Sequence, residues 1–223
     1  MKNSALARKK ELVGKHVSLG QNIHIYPNVR IGDYTVIEDN SVIGHPSPQE
    51  FNVFIKSLGI RHDAQMDHFV KASTVIGGNC ILRSGTIVYS GTRIGDRLDC
   101  GHNVIIRENC EIGNDVYILP GTQIHAHVRI GNNVRLFGFL SNWSVVEDDA
   151  AMLGIMAHKY RVKRGAVETA PIVKRGANIG MGAILVGDVI VGENAFVGAN
   201  AVVTRNVKPN TTVVGVPARL IAR

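Results

Sequence analysis

The sequence contains few large rings and no long hydrophobic run. Aromatic residues make up only 5% of the 223 residues, although hydrophobic residues make up 45%. Branched aliphatic side chains in place of rings are typical of a narrow interior. No apolar run approaches the roughly 18 residues of a membrane-spanning helix, and the charged stretch from Met1 to Lys15 is unlike a signal peptide. We therefore expect one cytoplasmic domain, residues 1–223, that has no membrane partner.

The three cysteines are too few, and odd in number, for a disulfide framework. Cys80, Cys100 and Cys110 all occupy positions that the repeat described below directs inward. We expect them to be reduced and buried, and we favour this role over metal binding or catalysis.

Acidic residues are outnumbered, 18 against 25 lysines and arginines, which gives a formal charge of +7. The basic residues are scattered and form no run interleaved with aromatic residues, so the charge does not predict a nucleic-acid surface. Binding of a phosphorylated small molecule, such as CoA or a nucleotide sugar, is a milder explanation of the same excess, and so is solubility.

What the sequence does contain is an aliphatic residue at every sixth position, a period that neither an α-helix nor a flat sheet has. The repeat is interrupted and then resumes, and one of its places is taken by Cys100. Its first residues are Val13, Leu19, Ile25, Ile31, Ile37 and Ile43; then Ile76, Leu82, Val88, Ile94, Cys100, Ile106, Ile112, Ile118, Ile124, Ile130 and Leu136; then Val146 and Met152; then Val173, Ile179, Leu185, Val191, Val197 and Val203.

A unit of six residues is too short to fold alone, so its apolar residue must be buried against copies of itself. A short strand followed by a bend fits six residues, and three such sides close a triangular coil. Compact or aliphatic residues recur at the fifth position, which directs both positions inward, and glycine often stands at the bend. The spacing predicts an all-β solenoid of about eight coils, paired as parallel strands over a length on the order of 40 Å.

Two segments interrupt the repeat, residues 45–74 and residues 158–171, and we expect both to leave the solenoid as long loops. The first is either functional or packed on the outer wall. The second is basic, and it either contacts phosphate or is simply solvated. Between Leu136 and Val146 the spacing is ten where twelve is expected, which predicts one shortened corner. The remaining assignments are coils over residues 13–44, 75–157 and 172–208, and a C-terminal segment, 209–223, with a short helix from Ala218.

Several hexads and the closing segment resemble those of the hexapeptide-repeat acyltransferases. They are Ile112-Gly-Asn-Asp-Val-Tyr117, Ile130-Gly-Asn-Asn-Val-Arg135, Val191-Gly-Glu-Asn-Ala-Phe196 and Gly215-Val-Pro-Ala-Arg219. The resemblance covers roughly residues 13–220. It implies a left-handed parallel β-helix, usually a homotrimer, with acyl-CoA in the grooves between neighbouring subunits. Handedness and trimer come from the resemblance alone, because ordinary parallel crossovers are right-handed.

The same resemblance places the nucleotide part of CoA against the last coils. It makes Lys208 and Arg219 candidates for contacts with the CoA phosphates, and Arg205 a weaker one. Backbone amides near three small residues are candidates for holding the pantetheine arm: Gly180, Ala183 and Ala201.

Acyl transfer from a thioester needs a proton acceptor, and histidine titrates near neutrality. Among nine histidines, His102 is the leading candidate because it is the third residue of its hexad, faces outward and lies in mid-prism. Gly101-His102-Asn103 resembles the Ala-His-Asp tripeptide that carries the base in related lipid A acyltransferases. Asparagine in place of aspartate leaves open how the imidazole is oriented. We predict His102 and Asn103 as the catalytic residues.

His125 and His127 also face outward, at the second and fourth positions of their hexad. They are alternative bases or substrate contacts, and a third alternative is attack by an amine that is already deprotonated. Two neighbouring histidines with a distant third also resemble the ligands of zinc carbonic anhydrases built on this fold. The spacing with His102 differs from theirs, and a catalytic zinc needs three converging ligands and an open position. We predict no metal.

The stretches Thr74–Thr92 and Gly101–Glu108 resemble nucleotide-sugar acyltransferases. This implies transfer from acetyl-CoA to the amino group of a nucleotide-linked amino sugar during surface-glycan synthesis. Candidate contacts for the sugar or its phosphates are Arg83, Arg107, Glu108, His125 and His127, although Arg83 is slightly favoured as a charge that keeps the prism soluble. Three alternatives stay open: transfer to a sugar hydroxyl, a zinc hydrase, and a scaffold without catalysis.

Overall fold

The computed structural model describes residues 12–58, 65–159 and 169–221. In these ranges the chain is the predicted all-β, parallel β-solenoid, consistent with left-handed winding, and it has about ten coils. The expectation of about eight coils was too low, because the last coil and two shortened coils depart from the six-residue spacing. A regular coil takes 18 residues, as in the contact between Asp96 and Asn114.

The strands are short, and most contain two residues. Before the first interruption they are β1 (Ser18–Leu19), β2 (His24–Ile25), β3 (Val29–Ile31), β4 (Val36–Ile37) and β5 (Val42–His45). The interruption contains helix α1 (Pro48–Leu58) and a 3-10 helix (Met66–His68). Then follow β6 (Thr74–Ile76), β7 (Ile81–Leu82), β8 (Ile87–Tyr89), β9 (Arg93–Ile94), β10 (Asp99–Cys100), β11 (Ile105–Ile106), β12 (Glu111–Ile112), β13 (Tyr117–Ile118), β14 (Gln123–Ile124), β15 (Arg129–Ile130), β16 (Arg135–Leu140), β17 (Val145–Val146) and β18 (Ala151–Ala157). The last group is β19 (Ile172–Val173), β20 (Asn178–Ile179), β21 (Ile184–Val186), β22 (Ile190–Val191), β23 (Phe196–Val197), β24 (Val202–Val203), β25 (Thr212–Val214) and β26 (Arg219–Leu220).

These strands form three faces. The first face contains β1, β4, β7, β10, β13, β16, β18, β20, β23 and β25; the second contains β2, β5, β8, β11, β14, β16, β18, β21 and β24; the third contains β3, β6, β9, β12, β15, β17, β19 and β22. We call the bend from the first to the second face the first corner, that from the second to the third face the second corner, and the return to the first face the third corner.

The core is a column of inward side chains that follows the hexad phase. From Val29 onward, the first and fifth positions of the hexads are buried, as predicted. Several threonines at fifth positions donate their hydroxyls to corner carbonyls, as Thr86 does to Arg83 (2.7 Å) and Thr122 to Leu119 (2.8 Å), whereas the buried hydroxyl of Thr74 has no partner among the described residues. Such bonds satisfy polar groups that the narrow interior would otherwise leave unpaired.

The three cysteines lie inside this column and are free thiols, as predicted. Burial raises the pKa of Cys100 and of Cys110 to about 12, and it also raises the pKa of Cys80. Thiols with a pKa of about 12 carry almost no thiolate near neutrality, and Cys80 is fully buried as well, so the structure gives none of the three the exposed thiolate that a nucleophile needs.

The corners use left-handed backbone conformations. Across the described ranges, seventeen non-glycine residues have positive φ, and ten of them are asparagine. Asparagine enters this region with little penalty, whereas bulky side chains rarely do. Asparagine at a corner is therefore first of all a structural residue.

The first interruption leaves the solenoid after His45, at the second corner, and returns on the third face at Thr74. Its helix begins with reciprocal bonds between Ser47 and Glu50: the amide of Ser47 donates to Glu50 Oε2 (2.9 Å) and the amide of Glu50 donates to Ser47 Oγ (3.3 Å). Glu50 also accepts bonds from the hydroxyl of Ser90 (2.5 Å) and from the amides of Lys71 and Ala72 (2.7 and 3.1 Å). One carboxylate therefore fastens both ends of the interruption to the solenoid.

The second interruption also leaves from the second corner and returns to the third face. Strand β18 ends at Ala157 and β19 begins at Ile172. Residues 160–168, which hold most of the basic side chains of the predicted 158–171 loop, lie outside the described residues. Helix α1 is the one α-helix in the described parts of the chain, and no helix there is long and apolar enough to cross a membrane.

Two successive coils have a shortened first corner. Strand β16 runs through this corner without a turn and pairs with both β13 and β14. This confirms the shortening predicted after Leu136, and β18 repeats it in the next coil, where it pairs with both β20 and β21. The side of the solenoid is therefore indented at this level.

The C-terminal helix predicted from Ala218 is wrong. Instead, β26 pairs antiparallel with β25, with Val213 opposite Leu220. The amide of Ala218 donates to the carbonyl of Val202 (2.8 Å). The segment thus pairs the open edge of the last coil, a gain that a helix of a few residues would not provide.

Candidate active site

His102 lies at the first corner near the middle of the solenoid, and its side chain is 52% exposed. Its Nδ1 atom is 3.9 Å from Oε2 of Glu38, which belongs to a coil two rises away. Ser84, in the coil between them, donates to the same oxygen through its amide (3.1 Å) and its hydroxyl (3.0 Å). The carboxylate is thus held in place facing the imidazole.

Sequence reasoning missed Glu38 because the first interruption lies between it and His102. The available signal was the phase of the repeat: Ile37, Leu82 and Cys100 take equivalent places on the first face. The residue after Ile37 therefore shares the first corner with His102, whatever length of chain intervenes.

Asn103, predicted beside His102 as a catalytic residue, has a different place. Its φ is 55°, and its Oδ1 fills the space over Gly85, 2.3 Å from where a Cβ of that glycine would stand. Asn103 therefore shapes the corner, and Glu38 rather than Asn103 faces the imidazole.

Arg83 lies in the same corner, next to Ser84, and is bound to Asp99. Its guanidinium donates a short hydrogen bond to the Asp99 carboxylate, which raises the pKa of Arg83. The Arg83 side chain remains 31% exposed. It is a fixed positive charge at the edge of the His102 corner.

The shortened corners create a recess of about 340 Å³ beside His102, which we call the notch. Its walls are Gly121, Gln123, Phe137, Gly138, Phe139, Gly154, Ile155 and Gly182. Gly121, at the near end of the notch, lies in the coil next to that of His102, and its amide donates to the His102 carbonyl (2.9 Å). A Cβ on Gly138 would stand 2.0 Å from the carbonyl oxygen of Gly154, so the floor is bare backbone.

A second recess, of about 250 Å³, lies at the C-terminal end and brings together the three predicted phosphate-binding cations Arg205, Lys208 and Arg219. We call it the cation cleft. The cleft is lined mainly by residues that follow strand β24, and His102 precedes strand β11 on the same second face. These two strands are five coil steps apart, which corresponds to about 24 Å along the solenoid. All three cationic side chains belong to exposed residues.

The backbone amides predicted to hold a pantetheine arm are already used. Gly180 donates to Val197 (2.8 Å), Ala183 to Gly180 (3.1 Å) and Ala201 to Gly198 (3.2 Å). These three N–H groups are therefore paired within the coil, and contact of pantetheine with amides near them stays a prediction.

The second corner carries an oriented arginine. Two nitrogens of Arg107, Nε and Nη2, donate to Glu108 (3.1 and 2.9 Å), whose side chain is 5% exposed, and the guanidinium lies 5.8 Å from the ring centre of Tyr89. The structure thus brings together Arg107 and Glu108 of the predicted substrate contacts. A buried carboxylate that holds a guanidinium by two bonds fixes its orientation.

His125 follows Arg107 one coil later, half-buried against Phe139 with ring centres 4.4 Å apart. Burial lowers the pKa of His125, and the positive charge of Arg107 lowers it further. His125 is therefore mainly neutral near pH 7.

His127 stacks on Trp143, with ring centres 4.0 Å apart and planes 4° apart. Sequence reasoning did not single out Trp143. Its position in the repeat becomes evident only when the shortened corner after Leu136 is counted as four residues, since Trp143 then occupies the same hexad place as His127.

His102 lies at the first corner, whereas His125 and His127 lie at the second, so the three do not converge as metal ligands. Within the described ranges, no three histidine, cysteine, aspartate or glutamate residues form a group that could hold a metal ion.

Comparison with known proteins identifies relatives of this arrangement. The sequence pattern of the family described as bacterial transferase hexapeptide (six repeats) matches residues 12–45, 101–138 and 170–205. The chain is 29% identical over 154 residues to the bifunctional protein GlmU of Shouchella clausii, which covers 62% of this chain and 33% of that protein. It is 32% identical over 114 residues to the serine acetyltransferase of Escherichia coli K12, with coverages of 49% and 41%. It thus spans about a third to two fifths of these relatives.

Among solved structures, Arabidopsis UDP-N-acetylglucosamine acyltransferase superposes with a TM-score of 0.51 at 15% identity, over 95% of this chain and 69% of that one. At this identity the likeness concerns the fold, and it agrees with the parallel β-helix described above. Because the hexad phase, the coiled fold and the sequence match agree, the chain belongs to the hexapeptide-repeat transferase family.

Proposed function

We propose that the protein is an acyl-CoA-dependent acyltransferase with His102 as its general base. The observation that carries the proposal is the placement of three features beside the second face: the cation cleft, the notch and His102. A donor with a phosphorylated head, a long uncharged arm and a terminal thioester matches this order. Its phosphates would contact Arg205, Lys208 and Arg219, and its arm would pass the notch.

In the proposed reaction an amine or hydroxyl of the acceptor attacks the thioester carbonyl, and His102 accepts the proton. Because Nδ1 faces Glu38, Nε2 is the nitrogen that takes part. The tetrahedral intermediate then collapses, the carbon–sulfur bond breaks, and the proton passes from His102 to the departing thiolate. Glu38 stabilises the imidazolium that exists between these two steps.

For the acceptor we propose the amino group of a nucleotide-linked amino sugar, used in surface-glycan synthesis. The fixed guanidinium of Arg107, which keeps Nη1 clear of Glu108, supports an acceptor with phosphate groups. Other proposed contacts are Arg83, Glu108, His125 and His127, and Glu108 acts by holding Arg107.

The name of the Escherichia coli relative, serine acetyltransferase, supports acetyl as the transferred group, and we propose acetyl-CoA as its donor. It also makes a hydroxyl acceptor the second candidate. The proposed donor site needs no metal.

A homotrimer belongs to the same proposal. The second face carries an outward row that is apolar except at Gln123: Val42, Ile87, Ile105, Gln123, Phe139, Ile155, Ile184 and Val202. Ile155 is 38% exposed in the single chain. A neighbouring subunit packed against part of this row would remove apolar surface from water and leave a groove for the acceptor between His102 and Arg107.

The test is a thiol-release assay with acetyl-CoA and a panel of nucleotide-linked amino sugars, their matched hydroxyl sugars, and serine. We expect release with an amino sugar, and we expect His102→Gln to lower kcat by about 100-fold or more. His24→Gln, an exposed histidine of β2, is the matched control. An undiminished His102→Gln enzyme would refute the base, and no release with any acceptor would refute the activity.

A further inference from the structure

The stacked pair His127 and Trp143, which we call the platform, is an exposed aromatic surface at the second corner. Trp143 is 53% exposed, and it is the single tryptophan of the sequence. Its ring is parallel to that of His127. A parallel pair with one wide ring in solvent offers a flat surface to another flat ring.

The platform occupies positions where the fold would accept a smaller residue. His127 and Trp143 have φ values of 62° and 66°, whereas Asn109, at the equivalent place one coil earlier, has 58°. Asparagine suits this conformation, but a bulky ring there is an outlier. Such outliers cluster where a binding or catalytic function uses the side chain.

A fixed positive charge accompanies the platform. Arg107 lies two coil steps from Trp143 at the same corner, about 10 Å along the solenoid. Nε and Nη2 of Arg107 donate hydrogen bonds to Glu108, which fixes the direction in which Nη1 points. His125, between them, has a lowered pKa, so it adds little positive charge to that of the guanidinium.

From this juxtaposition we infer that the platform stacks the base of a nucleoside diphosphate whose phosphates contact Arg107. The inference deepens the proposed function and rests on it for one point, that the nucleotide belongs to the acyl acceptor. The platform and His102 lie on opposite edges of the second face, and His102 and Arg107 are five residues apart, at most about 16 Å. A nucleoside diphosphate on the platform would therefore direct its linked group across this face towards His102.

The chain contains a second stacked pair that serves as a control. His16 and Tyr34 stack with ring centres 4.8 Å apart, and both have positive φ. Their neighbour is the carboxylate of Asp33, which accepts a bond from the amide of Lys15 (2.7 Å). Arg97, two coil steps from Tyr34, is held by Asp115, but both of these side chains are about half exposed (53% and 48%), so this pair lacks a guanidinium oriented by a buried carboxylate.

The experiment is a titration of Trp143 fluorescence in the full-length protein with UDP, GDP, ADP, the matching nucleosides, CoA and inorganic phosphate. We expect saturable quenching by at least one nucleoside diphosphate, weaker binding of its nucleoside, and no quenching by phosphate alone. Because Trp143 is the single tryptophan, the signal reports directly on the platform.

Two variants test the two elements separately. His127→Asn should weaken binding by roughly 5- to 100-fold, the range for loss of base–aromatic stacking, while His16→Asn leaves it unchanged. The double variant Arg107→Gln with Glu108→Gln avoids a buried unpaired carboxylate and should weaken the diphosphate more than the nucleoside. Circular dichroism and calorimetric titration establish that the variants are folded and give their affinities.

Absence of saturable quenching with every nucleoside diphosphate would overturn the inference, and so would quenching by CoA at lower concentration than by any of them. Emission that is already shifted to short wavelength and changes with protein concentration would show that a second copy covers Trp143, which also overturns it. His102→Gln should bind the nucleotide normally, so loss of acyl transfer and loss of nucleotide binding are distinguishable.

Discussion

Nδ1 of His102 lies 3.9 Å from Oε2 of Glu38, and Ser84 donates two hydrogen bonds to that same oxygen. A charge held at this distance matters most when the ring is protonated, which is the state that follows proton transfer. We predict that Glu38→Gln lowers kcat for acyl transfer by roughly 10-fold, since the half-exposed pair is partly screened by solvent.

The Michaelis constants for donor and acceptor should stay near their wild-type values in Glu38→Gln, because the carboxylate acts through the imidazole. Glu193→Gln, an exposed third-corner residue, is the matched control. An unchanged kcat in Glu38→Gln would show that the carboxylate has no part in the reaction.

The floor of the notch gives a second prediction. A Cβ at Gly138 would meet the carbonyl oxygen of Gly154 at 2.0 Å, and the φ of Gly138 is 112°. Gly138→Ala should therefore destabilise the fold by about 2–4 kcal/mol, from steric overlap and backbone strain. At Gly121, with φ of 73°, a Cβ would meet nothing within 4 Å, so Gly121→Ala should cost only about 1 kcal/mol.

Thermal unfolding of the two alanine variants, followed by circular dichroism, makes the comparison. Equal melting temperatures for Gly138→Ala and Gly121→Ala would contradict the close approach of the coils at the notch.

Acid should release the first interruption. Burial opposes ionisation of Glu50, but its hydrogen bonds with Ser90, Ser47, Ala72 and Lys71 outweigh this and lower its pKa below the ordinary value of 4.5. A lowered pKa in the folded state stabilises the fold above about pH 4.5, and this contribution is lost as the pH falls through the folded-state value.

Hydrogen exchange of the α1 amides tests this prediction. Glu50→Gln should speed exchange at pH 7, by an amount that corresponds to about 1–3 kcal/mol, because one oxygen that accepts bonds is replaced by a donor. The difference from wild type should shrink below pH 4.5. Equal protection of α1 at pH 7 in both proteins would rule out the fastening role of Glu50.

The cysteines should be inert until the solenoid opens. With pKa values of about 12, Cys100 and Cys110 present almost no thiolate at pH 8, and neither is accessible to solvent. A thiol-specific colorimetric reagent should therefore react very slowly with the native protein and promptly in denaturant. Rapid labelling of the native chain at any of the three cysteines would contradict their inward position.

Features that depend on the six-residue period within one coil could be predicted from the sequence. Contacts between coils that are distant in the sequence could not. The phase of six placed Cys100 inside and His102 outside, because each residue's direction follows from its place in one hexad. It did not pair His102 with Glu38, since that contact depends on the register carried across an interruption. The resemblance predicted binding amides near Ala183, but it did not reveal that the N–H of Ala183 itself is paired with the carbonyl of Gly180.

The antiparallel pairing of β26 with β25 has a consequence for self-association. Stacked parallel coils present the same edge at every level, so an uncovered final coil would be a template on which another chain could polymerise. On the first face, β26 pairs antiparallel with the edge of β25. On the second face, the carbonyl of Gly215 accepts a hydrogen bond from the amide of Val202 (3.0 Å). Deleting this hairpin should therefore favour end-to-end fibres, because growth by addition of coils is blocked there by a reversal of strand direction.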